Sequence, residues 1–478
     1  EPDFQTLVTI KPGDPYRASA VAETTRAFVD RFGTFGYAFA KVDARPEIDR
    51  ANGRVLLTLV AEPQRRVYVR RVNIAGNTRT RDEVVRREFR QFESSWYDGR
   101  KIKLSRDRVD RLGYFSEVNV DTAEVPGSAD QVDLTVTIKE KPTGNLALGA
   151  GYSSADKLSL TASIKQENIF GSGNYLGLEL NTSKYNRTLV LSTVDPYFTI
   201  DGISRSIDAY YRTSRPINTQ GNPDYELVTP GAALRFGVPF SEYDTVFFGI
   251  GAERTEIRGA NQLPNSWFLY REQFGSTSSS VPLTVGWTRD SRDSALVPTA
   301  GRYSRINLDY APIGDAKYFR ANLQGQQYIQ FSRAFSFGVN AEIGYGKGLG
   351  GRPYPIFKNF YGGGLGTVRG FEQGSLGPVD VTGAFIGGNR RFNLNNEFYL
   401  PVPGANADRT LRIFLYADAG NVWGENEKLT FNSLRAAAGV GVSWVSPVGP
   451  LKLSYGEPIN KKPEDRIQRL QFQIGTAF

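Results

Sequence analysis

From Gly144 to its end the chain is made of segments that alternate apolar and polar residues. Phe335, Phe337, Val339, Ala341, Ile343 and Tyr345 interleave with Ser336, Gly338, Asn340, Glu342, Gly344 and Gly346. Phe319, Ala321, Leu323, Ile329 and Phe331 interleave with Arg320, Asn322, Gln324, Gln326, Tyr328 and Gln330. Successive side chains of a strand point to opposite faces, so each segment has one apolar and one polar face. Sixteen can be drawn, near 145–152, 157–167, 173–184, 187–197, 203–214, 226–238, 245–257, 281–289, 302–311, 317–330, 335–346, 388–400, 411–419, 434–446, 450–457 and 467–478. Soluble sandwiches also use such strands. Two features favour a membrane barrel: many segments reach about ten residues, the length of a tilted strand across a bilayer, and aromatic pairs such as Tyr197-Phe198, Tyr210-Tyr211 and Phe398-Tyr399 sit at segment ends, where an interfacial girdle lies. An even count suits a closed antiparallel barrel, which leaves no open edge in lipid.

Composition removes several alternatives. Glycine is 50 of 478 residues and mean hydropathy is −0.37, which does not suit a helical membrane protein. The 54 Tyr and Phe residues (24 + 30) are too many for a disordered chain. A net charge of +8 is too small to imply a nucleic-acid partner. The chain has no Cys, His or Met. Without Cys and His there are no disulfides, thiolate or imidazole metal sites, Ser-His-Asp triads or cysteine nucleophiles, so the usual outer-membrane enzymes are disfavoured. The triple absence suggests deliberate substitution. The opening at Glu1, without a charged n-region or an apolar h-region, suggests a fragment of a processed protein.

The first 140 or so residues are Arg-rich and mix helix and strand patterns. They contain a diverged repeat. Gly36-Tyr37-Ala38-Phe39-Ala40-Lys41-Val42 leads to Arg54 through Val60, and Gly113-Tyr114-Phe115-Ser116-Glu117-Val118-Asn119-Val120 leads to Gln131 through Ile138, 77 positions on (37 to 114). Each copy reads as a helix ending near a glycine and then a two-strand meander, the helices being Ser19–Phe32 and Leu104–Leu112. The second copy adds an opening strand, Val67–Ile74, and a helix, Arg81–Phe92, making a β-α-α-β-β unit; the first lacks its start. Two unrelated α+β domains are the plainer alternative.

Three groups of residues stand out. The longest connection, Lys347 to Gly387, is Gly-rich and carries Phe360, Tyr361, Arg369 and Phe371; loops that long are usually functional or folded into the lumen. A buried Arg369 needs carboxylate partners. Strand parity supplies them: Phe392, Leu394, Phe398 and Leu400 face lipid, which puts Glu397 in the lumen, and Leu411, Ile413, Leu415 and Ala417 face lipid, which puts Asp418 there too. A solvated loop arginine is the alternative. Arg86, Arg90 and Glu93 lie at i, i+4 and i+7 of the expected helix, either as a docking face or as a merely solvated one. Finally, Gly149 and Gly151 weaken the first barrel strand, against which the last must close. Leu470, Phe472, Ile474, Thr476 and Phe478 share one face of that last strand. A weak seam would admit a foreign strand by β-augmentation, and a cysteine pair at Leu148 and Gln473 should lock it. Relief of crowding in the lumen is the competing explanation for the glycines.

Several motifs together resemble one family. Val72-Asn73-Ile74-Ala75-Gly76-Asn77-Thr78-Arg79-Thr80 resembles the opening of a last POTRA domain. Val368-Arg369-Gly370-Phe371, followed by Gly374-Ser375-Leu376-Gly377-Pro378, resembles the family's long-loop motif. Asp195-Pro196-Tyr197-Phe198, Asp418-Ala419-Gly420-Asn421-Val422-Trp423 and Ser446-Pro447-Val448-Gly449-Pro450-Leu451 fit in order and spacing. An alternating terminal strand closed by Phe478 resembles the insertion signal of outer-membrane barrels. On these residues the chain resembles the BamA family of outer-membrane β-barrel insertases.

The resemblance implies α+β POTRA domains followed by a sixteen-strand antiparallel transmembrane β-barrel. Residues 1–65 would be a partial POTRA domain, 66–142 the final one and 143–478 the barrel. It implies a non-enzymatic function, folding and inserting β-barrel proteins into the outer membrane of a Gram-negative bacterium through a lateral seam. No nucleotide or other cofactor and no metal are implied. The implied partners are unfolded outer-membrane proteins, accessory lipoproteins such as BamD, periplasmic chaperones and outer-membrane lipid, with the POTRA domains in the periplasm. It pairs Arg369 with Glu397 and Asp418, and it tips Arg86, Arg90 and Glu93 toward lipoprotein docking. The chain departs from the family in lacking the earlier POTRA domains, and in having Phe89, Phe92, Val448 and Ile474 where relatives often carry Met. A TamA-type assembly pore or a two-partner secretion pore is the nearest alternative. A porin would not explain the POTRA-like repeats.

Overall fold

The computed structural model describes residues 2–216, 225–241, 243–259, 263–295, 297–332, 335–402, 410–446 and 449–475. They form two compact units, one of residues 1–144 with 167–174, the other of residues 145–166 with 175–478.

The first unit holds the two repeats. The first repeat has helices α1 (Pro2–Gln5) and α2 (Ala18–Gly33) and the hairpin β1 (Lys41–Asp49) and β2 (Arg54–Glu62), paired antiparallel from Lys41↔Glu62 to Asp49↔Arg54. The second runs β3 (Tyr68–Ala75), α3 (Asp82–Arg86), α4 (Gly99–Arg111), β4 (Phe115–Glu124) and β5 (Gln131–Glu140). Its sheet order is β3-β5-β4, with β3 parallel and β4 antiparallel to β5. Alternate residues Val132, Leu134, Val136 and Ile138 of β5 point into one core with Val69, Val72, Val84, Val85 and Val109. Helix α4 begins where Asp98 accepts hydrogen bonds from the Arg100 and Lys101 amides. It ends with Arg108 and Arg111 in its last turn, the charge its dipole favours there.

The helix expected over Arg81–Phe92 is only one turn and a half, Asp82–Arg86. Short-range bonds from the Glu88 and Phe89 amides to Val85 and Arg86 tighten its end. The Arg90 amide is then taken by Ser105 Oγ of α4 at 2.8 Å, not by a carbonyl of its own helix. Sequence periodicity could not register this competitor, because it comes from another element.

Glu140 closes the β3–α3 turn. It accepts from Thr80 N at 2.6 Å, Thr78 Oγ1 at 2.7 Å and Arg79 N at 3.0 Å. Burial pushes its carboxyl pKa up, but these hydrogen bonds outweigh burial and hold it below the ordinary glutamate value. A carboxylate depressed in the folded state contributes stability that is present above its unfolded pKa of about 4.3 and lost as pH falls through the folded value. The urea midpoint of the first unit should therefore drop from about pH 5 downward. Glu140→Gln should be less stable at pH 7 and show a flatter drop. Parallel curves would remove Glu140 from the account.

The second unit is a closed antiparallel barrel. Its wall begins with β6 (Gly144–Ser153), β7 (Lys157–Ile169), β8 (Asn174–Thr182), β9 (Asn186–Asp195), β10 (Ser204–Ser214), β11 (Glu226–Pro239), β12 (Asp244–Arg258) and β13 (Thr277–Asp290). It continues with β14 (Gly301–Gly314), β15 (Tyr318–Gln330) and β16 (Ser336–Gly348). After the long loop, which carries the two-residue strand β17 (Gly370–Phe371), come β18 (Arg390–Pro401), β19 (Leu411–Trp423), β20 (Arg435–Ser446) and β21 (Gly449–Asn460). The two-residue β22 (Ile467–Gln468) precedes the last wall strand, β23 (Leu470–Gly475). The wall thus has sixteen strands, and β17 and β22 pair with each other outside it. Helix α5 (Asn265–Phe274) lies between β12 and β13. Among the described residues no helix is long and apolar enough to cross a membrane; the chain crosses with strands.

Candidate functional site

The loop from Lys347 to Gly387 meets inward-facing residues on several wall strands. Lys358 pairs with Glu253 of β12, and Phe360 lies beneath the guanidinium groups of Arg320 and Arg391, 4.5 and 5.3 Å from its ring centre. Val368, Phe371 and Leu376 are fully buried. The loop therefore fills part of the lumen.

Arg369 sits at its inner end, 1% exposed. Its Nε and Nη2 each donate to Asp418 at 2.7 Å, to Oδ2 and Oδ1, and its backbone N donates to Oδ2 at 3.0 Å. Nη1 donates to Glu397, which also accepts from Lys452 at 2.9 Å and from Tyr399. The Tyr416 ring centre lies 3.7 Å from the guanidinium carbon. Two cations thus meet two carboxylates in a formally neutral cluster, which is what burial of Arg369, Glu397 and Asp418 requires; Lys452 stays about a third exposed. The forked contact to Asp418 uses the planar geometry that only arginine offers.

Local sequence makes room for this cluster. A Cβ on Gly456 would lie 2.0 Å from Tyr416 Oη, and one on Gly441 would lie 2.2 Å from the Phe414 ring. Gly370 has φ +86°, so the backbone turns away from the clamp through a conformation that side chains resist.

The structure thus brings Arg369, Glu397 and Asp418 together, with Val368, Gly370 and Phe371 packed around them. Sequence reasoning missed Lys452, Tyr399, Tyr416 and the Lys358–Glu253 pair. The parity that placed Glu397 and Asp418 inward would have placed Tyr399 and Tyr416 there too. On β21, with Leu451, Leu453 and Tyr455 outward, it puts Lys452 inside.

Arg86, Arg90 and Glu93 are not on one helix face, which corrects the expected spacing: α3 ends at Arg86. Arg86 and Glu93 do meet, at 3.2 Å, and both bond the Val72 backbone, Glu93 accepting from its N and Arg86 donating to its O. Arg90 turns back onto the carbonyls of Arg87 and Phe89.

At the closure, β23 registers with β6 through three pairs among the described residues: Gly151↔Gly475, Tyr152↔Ile474 and Ser153↔Gln473. The Ser154 amide adds a bond to Phe472 O at 2.9 Å, and Tyr152 stacks on Phe472 at 5.7 Å. By contrast β18 and β19 register over twelve pairs, from Arg390↔Trp423 to Pro401↔Arg412. Gly149 lies on the part of β6 that has no registered partner across the closure among the described residues, with Leu146 and Leu148 beside it at 69% and 77% exposure. Phe472 and Ile474 are in place; Phe478 lies outside the described residues. Gln473 faces Ser153, five residues from Leu148, so a Leu148–Gln473 cysteine pair is out of register.

A closed transmembrane barrel with an arginine loop bound inside it, and with β-α-α-β-β repeats earlier in the chain, defines a POTRA-bearing barrel. The chain belongs to the Omp85 superfamily, whose domain matches residues 168–478. The POTRA family, described as a surface antigen variable number repeat, matches residues 1–63 and 67–141. The outer membrane protein assembly factor BamA of Neisseria meningitidis serogroup B is 38% identical, over all of this chain and 65% of its own length. That of Nitratidesulfovibrio vulgaris is 30% identical, over 98% of this chain and 58% of its own. The chain therefore spans just under two thirds of these relatives or less. The crystal structure of BamA from Haemophilus ducreyi lacking POTRA domains 1–3 superposes with a TM-score of 0.82 at 28% identity, covering 99% of this chain and 96% of that one.

Proposed function

We propose that this chain folds and inserts β-barrel proteins into the outer membrane, with its POTRA repeats in the periplasm, and that substrate strands enter at the β6–β23 seam. The observation that carries the reading is the closure by three registered pairs among the described residues. A barrel otherwise has no edge. Among the described residues the ladder is short, and opening it would offer the backbone donors and acceptors of β6 to a foreign strand. No nucleotide is needed, because the folding of the substrate supplies the free energy. The assembly-factor names of the 38% and 30% relatives favour this over a TamA-type or two-partner secretion pore. The direct test is reconstitution in liposomes with a denatured barrel substrate, with and without accessory lipoproteins. Faster folding than in empty liposomes supports the reading. Rates no faster than in empty liposomes, with and without the lipoproteins, contradict it.

We also propose Arg86, Arg90 and Glu93 as a docking site for an accessory lipoprotein such as BamD, and Arg369 with Glu397 and Asp418 as the clamp that holds the loop during assembly. Glu93→Lys should weaken lipoprotein binding in a pull-down titration. Because Glu93 also accepts from Val72 N, the urea midpoint has to be measured beside it. Glu93 and Arg86 are about half exposed, so their pair alone contributes only about 0–1 kcal/mol to the fold. Unchanged affinity would mean that the face is merely solvated.

A further inference from the structure

The arginine loop grips the barrel at a second place. β17 and β22 pair in the register Gly370↔Gln468 and Phe371↔Ile467, and Glu372 N donates to Arg466 O at 2.9 Å. Gln471 is 1% exposed and donates from Nε2 to Phe371 O at 2.6 Å. It lies on the lumen face of β23, since Leu470 and Ile474 on the other face are 53% and 42% exposed. Just before this zipper, Asp465 accepts two bonds of 2.8 Å from Arg435 of β20, with both side chains nearly fully buried. The run into the last strand is thus held by the loop and by β20. At its far edge the same strand registers with β6 through three pairs among the described residues.

We propose that Gln471 is a positioning residue that fastens the last barrel strand to the arginine loop, so that the loop sets where that strand stands at the seam. The proposal rests on the seam reading above and adds to it a control element in the loop. A buried amide that only satisfied the Phe371 carbonyl would contribute to the stability of the whole barrel and favour no strand. A positioning role is local to β23.

Native-state hydrogen exchange on the full chain in detergent separates the two. Gln471→Leu keeps the volume and removes the donor. Amides of Leu470–Gly475 should then exchange roughly tenfold faster, the effect of leaving one buried acceptor unpaired, while those of Tyr318–Gln330 in β15 stay unchanged. In the same variant, Glu372→Cys with Arg466→Cys forms a staple one position beyond the β17–β22 ladder, where Glu372 N already bonds Arg466 O, and its oxidation should restore protection. Equal acceleration in both strands, none in Leu470–Gly475, or an oxidised staple that restores nothing would each overturn the proposal. The readout involves no insertion. If a locked seam leaves insertion unchanged while β23 still responds to Gln471→Leu, the seam reading fails and the positioning role stands.

Discussion

Arg369→Ala should release the long loop from the lumen and destabilise the barrel. The loss falls unevenly. Glu397 keeps Lys452 and Tyr399, whereas Asp418, 2% exposed, loses the guanidinium that meets both its oxygens. Stranding a buried charge costs roughly 3–5 kcal/mol. Limited proteolysis in detergent should cut between Lys347 and Gly387 in the variant and spare the parent. Arg369→Lys should recover little, because an ammonium cannot fork onto Asp418 while reaching Glu397. Arg369→Ala with Asp418→Ala should be less damaged than the sum of the single changes, since the orphaned charge is gone. A variant as protected as the parent would mean that the clamp does not hold the loop.

Locking the closure should stop insertion altogether. Ser154 N bonds Phe472 O, so the Ser153–Gln473 rung is a non-hydrogen-bonded one, where facing side chains come closest. The chain has no cysteine of its own, so Ser153→Cys with Gln473→Cys gives a single possible bridge. The lost bond from Asp156 N to Ser153 Oγ is worth only about 1 kcal/mol. Oxidised protein in liposomes should not speed the folding of a denatured barrel, and reduction should restore it. Equal activity in both states would reject lateral opening here.

The wall was legible because its physics is local. Period two gave all sixteen wall strands, and parity alone sent Glu397 and Asp418 to the lumen, where Arg369 meets them; Tyr399, expected at the membrane interface, instead turns inward to Glu397. What escaped depended on contacts between distant segments. The helix after Arg81 stops because Ser105 of α4 takes the Arg90 amide. The last strand, expected from residue 467, begins at Leu470 because Ile467 and Gln468 pair with the loop instead. Register was also hidden: the glycines of β6 suggested a weak strand, but not that Gln473 would face Ser153.

The most direct test of the account asks where a substrate strand goes. A barrel substrate stalled during insertion, with one cysteine in its terminal strand, is mixed with two variants of this protein. Leu148→Cys places a thiol on the part of β6 that has no registered partner across the closure among the described residues. Leu323→Cys places one on the outer face of β15, a fully paired strand. The account predicts a disulfide to position 148 and none to 323. Efficient insertion with no crosslink at 148, or with equal crosslinking at both positions, would contradict it.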